Sequence, residues 1–491
     1  MKKTIAIVLM IILLISQGAA AINIPGYEGG IQNEFTYKEV VFITGEPILM
    51  EGTLTITKSE KGNVGTETYK YKLENIAYNA ALDRTVNLKD ISIEKEGQKT
   101  TTKEIDKYTE TITIDKNKYT VNKGNYVWNQ GSVTHNTPLI SYYAGDYAAR
   151  KVYTLGRGRK VLATVEVETI GNLVGYDSPW SATETQIVDY KINYEDKETS
   201  ENSWEGTATV EAAYNRTKDY SYAENIPSQI SFNGGYRITE KEENVMKYQY
   251  DLPRKIDNKI ISGRQLGMDT ISLDTNPKIE RLNIPSVRDV LGHQYEGELL
   301  LVASMEGLPL NSISIGPNSA ITRGDFARII AKAMDISIEK EEPSKRTGTG
   351  RNKVEPPKPL FDDVPETHKN FDYIEAVGQT GVMIGIEEPN FRPDDPLTRS
   401  EAYTIVSRIL GLRHQAPIGK YSLGYNDEGN IPDWAKDHIY VVKMLGLIDN
   451  TDYLYPNRYL TKGEAASLMV NLINYMQENL RYDYMEGILN N

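Results

Sequence analysis

The sequence has no cysteine in its 491 residues. That excludes disulfides and thiolate metal sites, and it is compatible with a bacterial exported protein. Histidine is scarce, and of the five residues only His135 lies before residue 283. Phenylalanine is scarce too, 7 against 33 tyrosines, so tyrosine carries most of the aromatic content. Positive charge is in deficit. The net charge of −13 argues against nucleic acid as a partner, because binding phosphates needs a basic face. Nothing after residue 21 approaches the run of about 20 apolar residues that crosses a bilayer. G-x-S-x-G, H-E-x-x-H, P-loop and Rossmann glycine patterns are all missing. The sequence therefore assigns no catalytic residue, no metal and no cofactor.

What is present starts with an export signal. Lys2 and Lys3 precede an apolar run at 5–15, and Ala19-Ala20-Ala21 forms an A-x-A cleavage site, which predicts a signal peptide over 1–21. The chain is long enough for two or more domains. From 22 to 282 the pattern has period two, as in GTLTIT at 52–57, TETITI at 109–114 and VLATVEVETI at 161–170. Threonine, valine and tyrosine suit a half-buried pleated surface, so this region reads as antiparallel all-β with one or two sandwich-like units. If there are two units, their boundary falls near 131–138; residues 144–151 read as one or two helical turns. Paired carboxylates such as Glu94 and Glu96, or Glu242 and Glu243, are too numerous to select a glycosidase pair. Trp128, Trp180 and Trp204, with Tyr142, Tyr143 and Tyr147, read as packing residues before sugar platforms.

After residue 283 one stretch is written three times, as IGPNSAITRGDFARIIAKAM at 315–334, FRPDDPLTRSEAYTIVSRILGL at 391–412 and LYPNRYLTKGEAASLMVNLI at 454–473. With Thr322, Thr398 and Thr461 in register, a proline falls five residues earlier, at Pro317, Pro393 and Pro456. Apolar residues fall four, seven, eight, eleven and twelve positions later, which is one face of a helix. Thr398 with Glu401 and Thr461 with Glu464 are capping boxes, and Thr322 with Asp325 is a shorter version. Between cap and acid stands a cation each time: Arg323, Arg399 and Lys462. A cation at a helix's positive end is unfavourable by about 0.3–1 kcal/mol, so its threefold recurrence asks for a cause.

These TRGD, TRSE and TKGE segments, each after an apolar-x-Pro turn, resemble the TRAE motif of S-layer homology (SLH) domains. Asp289, Asp363 and Asp427 open the preceding segments, which close at Gly307, Gly381 and Gly446. The resemblance divides the C-terminal part into repeat 1 (283–338), repeat 2 (360–416), repeat 3 (417–480) and a tail (481–491), and the charged, Gly- and Pro-bearing stretch 339–359 reads as a flexible connector. It implies an α-helical pseudo-trimer around a central three-helix bundle. It also implies inter-repeat grooves that bind an anionic secondary cell-wall polysaccharide, often one bearing pyruvate ketals.

Physically, a carboxylate at such a helix tip would meet free backbone amides, and the neighbouring cation would add a charge-assisted hydrogen bond. Arg399, Lys462 and Arg323 are the expected glycan ligands. The alternative for all three is surface charge paired with neighbouring acids. Counting back from the closing glycine aligns Trp434 with Lys369 and Tyr295, and sugar contact and core packing are both open for Trp434. Repeat 1 departs furthest, with Gly324-Asp325 in place of Ala-Glu, so Arg399 and Lys462 rank above Arg323. The expectation is a secreted, wall-anchored surface protein with no membrane span after signal removal, displaying a β-rich region and having other S-layer subunits as further partners. The alternative places a polysaccharide-active enzyme or an adhesin in 22–282.

Overall fold

Period-two patterning builds long strands. A computed structural model describes residues 29–157, 160–223, 234–256, 259–310, 313–337, 359–386 and 389–484. The signal peptide expected at 1–21 lies outside those residues, as do all of the connector expected at 339–359 except Pro359, and the tail from Met485 onward. Among the described residues, fourteen strands form one antiparallel sheet whose neighbours follow chain order from Ile31–Gln32 to Lys259–Ser272. The last strand, Lys278–Asn283, pairs with Gly235–Ile256 alongside Lys259–Ser272. The sheet winds onto itself: Phe42 packs on Tyr190 and Tyr248 at 5.6 and 6.2 Å, and Gly29 N donates to Gln186 Oε1 at 3.1 Å.

The strand Asn117–Asn136 turns at 137–140 into Ser141–Arg157, and the two pair from Asn136 and Ser141 onward, so one sheet continues on both sides of 131–138. Residues 144–151, expected as helical turns, belong to that second strand. Alanine there is neutral, whereas the alternation of exposed Ala144, Asp146 and Ala148 with buried Gly145 and Tyr147 is strand-like. Trp128, Trp180 and Trp204 are all buried, which selects packing over sugar stacking.

The interior holds a cluster that the patterning did not reveal. Arg84 donates to both Glu39 oxygens at 2.9 and 2.8 Å and to Glu110 at 3.1 and 2.7 Å, while Lys151 lies 3.6 Å from Glu110. All four are nearly inaccessible, and their charges cancel. Burial alone would raise the Glu110 carboxyl; Arg84 and Lys151 overcome it and hold it at about 2.

The helical part repeats one unit three times. Its helices are α1 (Glu296–Ser304), α2 (Arg323–Ala333), α3 (Phe371–Gln379), α4 (Arg399–Leu410), α5 (Asp433–Met444) and α6 (Lys462–Asn474). The expected apolar stripes of α2, α4 and α6 are no more than 5% exposed, each large side chain contributing about 1.5–3 kcal/mol. In every repeat an aspartate pins the turn before the proline. Asp289 accepts from the amides of Ile315 and Gly316, Asp363 from Phe391 and Arg392, and Asp427 from Leu454 and Tyr455.

Three hydrogen bonds then close the repeats into a ring: Leu397 N to Ile321 O (3.0 Å), Leu460 N to Leu397 O (2.8 Å) and Ile321 N to Leu460 O (2.9 Å). Each long helix carries the short helix of the following repeat, α3 on α2, α5 on α4 and α1 on α6. One register shifts in repeat 1. The left-handed residue ending α1 is Glu306 (φ 61°), matching Gly381 and Gly446, so Gln294 and not Tyr295 corresponds to Lys369 and Trp434.

The sheet seats against the far ends of the three long helices. Trp180 Nε1 donates to Ala333 O (3.0 Å), Thr137 Oγ1 to Ile409 O (3.0 Å), Tyr142 OH to Leu410 O (3.3 Å) and Tyr220 OH to Asn474 Oδ1 (2.8 Å). The first three bonds take up backbone carbonyls that a helix end leaves orphaned, and the fourth reaches the side chain of the last residue of α6. Gly411 ends α4 at φ 70°, and a Cβ there would lie 2.0 Å from the Thr137 methyl. Tyr142, Tyr176, Trp180, Tyr236 and Ile238 of the sheet share one apolar core with the helices. Tyr484, beyond α6, stacks on Tyr142 and meets Tyr176 edge to face.

Candidate functional site

Helix tips attract anions only when their first amides are free. Here they are taken. The two leading amides of α2 donate to Asp395 O and Pro393 O at 2.9 and 2.8 Å, those of α4 to Arg458 O and Pro456 O at 3.0 and 3.1 Å, and those of α6 to Ser319 O and Pro317 O at 3.0 and 2.9 Å. The third amide goes to the cap: Asp325 N to Thr322, Glu401 N to Thr398, Glu464 N to Thr461. The expectation of free tip amides is therefore corrected, since the proline turn of the next repeat fills the place an anion would take.

The expected capping boxes form at Glu401 and Glu464, whose carboxylates return to Thr398 N (2.8 Å) and Thr461 N (3.0 Å). Asp325 is one carbon shorter and turns outward to Lys369 Nζ (2.9 Å) and Asn370 Nδ2 (2.7 Å). Burial would raise its carboxyl, but those two hydrogen bonds and the charges of Lys369 and Lys462 hold it below the ordinary value.

The recurring cation also finds its cause. Arg399 Nη1 donates to Glu464 Oε1 at 2.8 Å, Arg323 Nη1 lies 3.7 Å from Glu401 Oε1, and the charge of Lys462 acts on Asp325. Each basic tip thus faces the acid of the next helix, so three cations and three carboxylates alternate around the axis, offsetting the unfavourable dipole. Two of the cations are further committed. Buried Arg323 donates to Phe391 O (2.9 Å) and Ile384 O (3.0 Å), and Lys462 Nζ donates to Ile315 O (2.8 Å).

Arg399 is different. Its Nε is buried with no hydrogen-bond partner, as are Ser400 Oγ beside it and Tyr425 OH. Ser400 and Tyr425 are 1% and 5% exposed. The equivalents of Ser400 are Gly324 and Gly463, and those of Tyr425, two residues before the pinning aspartate, are Phe361 and Val287. Among the described residues, the seam between repeats 2 and 3 therefore collects three unpaired polar atoms, two of them at positions where the other repeats carry glycine or an apolar residue. In the seam between repeats 1 and 2, Asn370 Oδ1 is also unpaired, but Lys369 spans to Asp325 there. Trp434 starts α5, which packs on α4, and is 53% exposed; core packing is thereby set aside. Of the residues now seen in the seam, Ser400 was legible as the hydroxyl replacing glycine in TRSE, whereas Tyr425 carried no periodic signal.

The family described as "S-layer homology domain" matches residues 360–402 and 424–466. Exoglucanase XynX of Acetivibrio thermocellus is 29% identical over 162 residues, covering 32% of this chain and 13% of that protein. The surface-layer 125 kDa protein of Lysinibacillus sphaericus is 22% identical over 180 residues, 36% of this chain and 14% of its own length. An S-layer protein of Bacillus licheniformis is 26% identical over 121 residues, 24% and 13% of the two chains. The chain thus spans about a seventh or less of the length of these relatives. Ile321 of repeat 1, outside the two matched segments, completes the ring through its bonds with Leu397 and Leu460. Residues 360–402 and 424–466 thus belong to the S-layer homology domain family, a kind of domain that indicates anchoring to cell-wall polymer at the cell surface.

Proposed function

We propose that the chain is anchored to an anionic secondary cell-wall polysaccharide through the seam between repeats 2 and 3, and that it displays the β region outward. The observation that carries this reading is the set of three buried, unpaired polar atoms, Arg399 Nε, Ser400 Oγ and Tyr425 OH. Each such atom costs about 1–3 kcal/mol while empty, and a ligand oxygen returns that cost on binding. Arg399 offers a guanidinium suited to a carboxylate such as a pyruvate ketal, and exposed Trp434 offers a face for a sugar ring. Arg323 and Lys462, bonded to backbone carbonyls, hold the ring together and stand behind Arg399 as ligands.

The test uses the full mature chain, because the sheet and the helices share a core. Sedimentation with isolated cell walls is expected to persist in the parent and to fall at least about tenfold in Arg399→Ala, with unchanged circular dichroism. Undiminished pelleting of that variant overturns the seam. A second reading, a wall-tethered glycan-active enzyme, is favoured by the glycosidase names of relatives such as exoglucanase XynX. Reducing-end release from a broad glycan panel checks it, and silence across the panel retires it.

A further inference from the structure

Arg399 is not idle in the empty seam: its Nη1 holds Glu464 Oε1 at 2.8 Å. An arginine that turns toward an acidic polymer would weaken that pair and leave a carboxylate only 15% exposed short of a partner. The chain carries a second cation for this oxygen. Arg458 Nη2 donates to the same Glu464 Oε1, while the Arg458 carbonyl accepts the leading amide of α4. The other two seams lack it, since the residues whose carbonyls play that capping part are Asp395 and Ser319. The duplicate cation and the unpaired Nε thus occur in the same seam and, among the described residues, together only there.

We infer that Arg458 is a positioning residue for anchoring: it keeps Glu464 satisfied so that Arg399 is free to engage an acidic group of the wall polymer. The inference rests on the seam reading above. Half-exposed Arg458 need not touch the polymer to do this, since its work is done on Glu464. Glu464 in turn is the capping-box acid of α6, and glutamine at that position preserves the cap.

That substitution makes the role separable. Wall-binding constants of the full mature chain would be measured for Arg458→Ala, Arg458→Lys, Glu464→Gln and the double variant Glu464→Gln/Arg458→Ala, with thermal midpoints alongside. Isolated walls are the probe, and the same walls extracted with hydrofluoric acid are the control. Arg458→Ala should weaken binding about tenfold with its midpoint kept, and Arg458→Lys should stay within about twofold. In the Glu464→Gln background, where no charge competes for Arg399, Arg458→Ala should change binding by less than about twofold. An equal loss in both backgrounds means that Arg458 contacts the polymer itself, and overturns the inference. So does unchanged binding of Arg458→Ala beside a released Arg399→Ala. If Arg399→Ala itself still binds, the seam reading falls first and this inference with it.

Discussion

Two groups of charge in this molecule, one buried inside the sheet and one only partly covered at the helix ring, are built on opposite plans. Inside the sheet, Arg84 is forked between Glu39 and Glu110, with Lys151 completing a neutral set. At the helix ring, Arg399 shares one carboxylate oxygen with Arg458 and leaves its Nε without a partner. A closed set holds a fold together and offers a ligand nothing, whereas an open one gives up stability in the empty state for a place to bind. Charge in the interior is therefore not by itself a sign of function.

The sharpest way to break the comparison is Arg84→Ala, which strands two buried carboxylates. It should cost about 3–5 kcal/mol in denaturant unfolding followed by signals from the β region, and wall binding should fail only as the fold does. A milder result would mean that the cluster is wetter than its burial implies.

Acid separates the two parts next. Burial, with Arg413 and Arg408 nearby, depresses His438 from 6.5 to about 4, its neutral ring meeting Ser407 Oγ at 3.0 Å. A depressed histidine contributes stability that is complete above 6.5 and lost as pH falls toward 4, up to about 3 kcal/mol. Glu110, held at about 2, contributes stability present above 4.5 and lost between 4.5 and 2. Thermal scans against pH should show the helical part weakening first. The opposite order would contradict both assignments.

The junction comes third. Gly411→Ala meets a left-handed backbone and the Thr137 methyl together, and should cost about 1–2 kcal/mol in thermal unfolding. The smallest stability effect belongs to Arg399→Ala, under about 1 kcal/mol by denaturant titration, for a partly exposed pair whose acid keeps Arg458. Its loss of wall binding beside so small a change would complete the contrast with Arg84.

Local chemistry made much of this legible. The period of two, the capping threonines and the apolar stripes of α2, α4 and α6 each depend on residues a few positions apart, and each appears where the spacing put it. What stayed hidden joins distant parts of the chain. Lys462 N reaches Ser319 O and Arg323 N reaches Asp395 O, so tip amides that look free in any one repeat are filled by another. Trp180 meets Ala333 across 153 positions, and nothing in its neighbourhood distinguishes it from Trp128. The Glu306 register escaped for a simpler reason: a left-handed position usually marked by glycine holds glutamate, with Gly307 beside it as a decoy.

The seating of the sheet on all three helix ends has a mechanical side. Were the strands joined to the anchor only by the peptide after Asn283, a tug on the outer region would peel the repeats away one at a time. Because Trp180, Thr137, Tyr142 and Tyr220 grip α2, α4 and the end of α6 separately, tension divides among three helices pulled in parallel. Shear flow over the cell then works against the whole bundle at once, and its weakest single contact does not decide when the protein lets go.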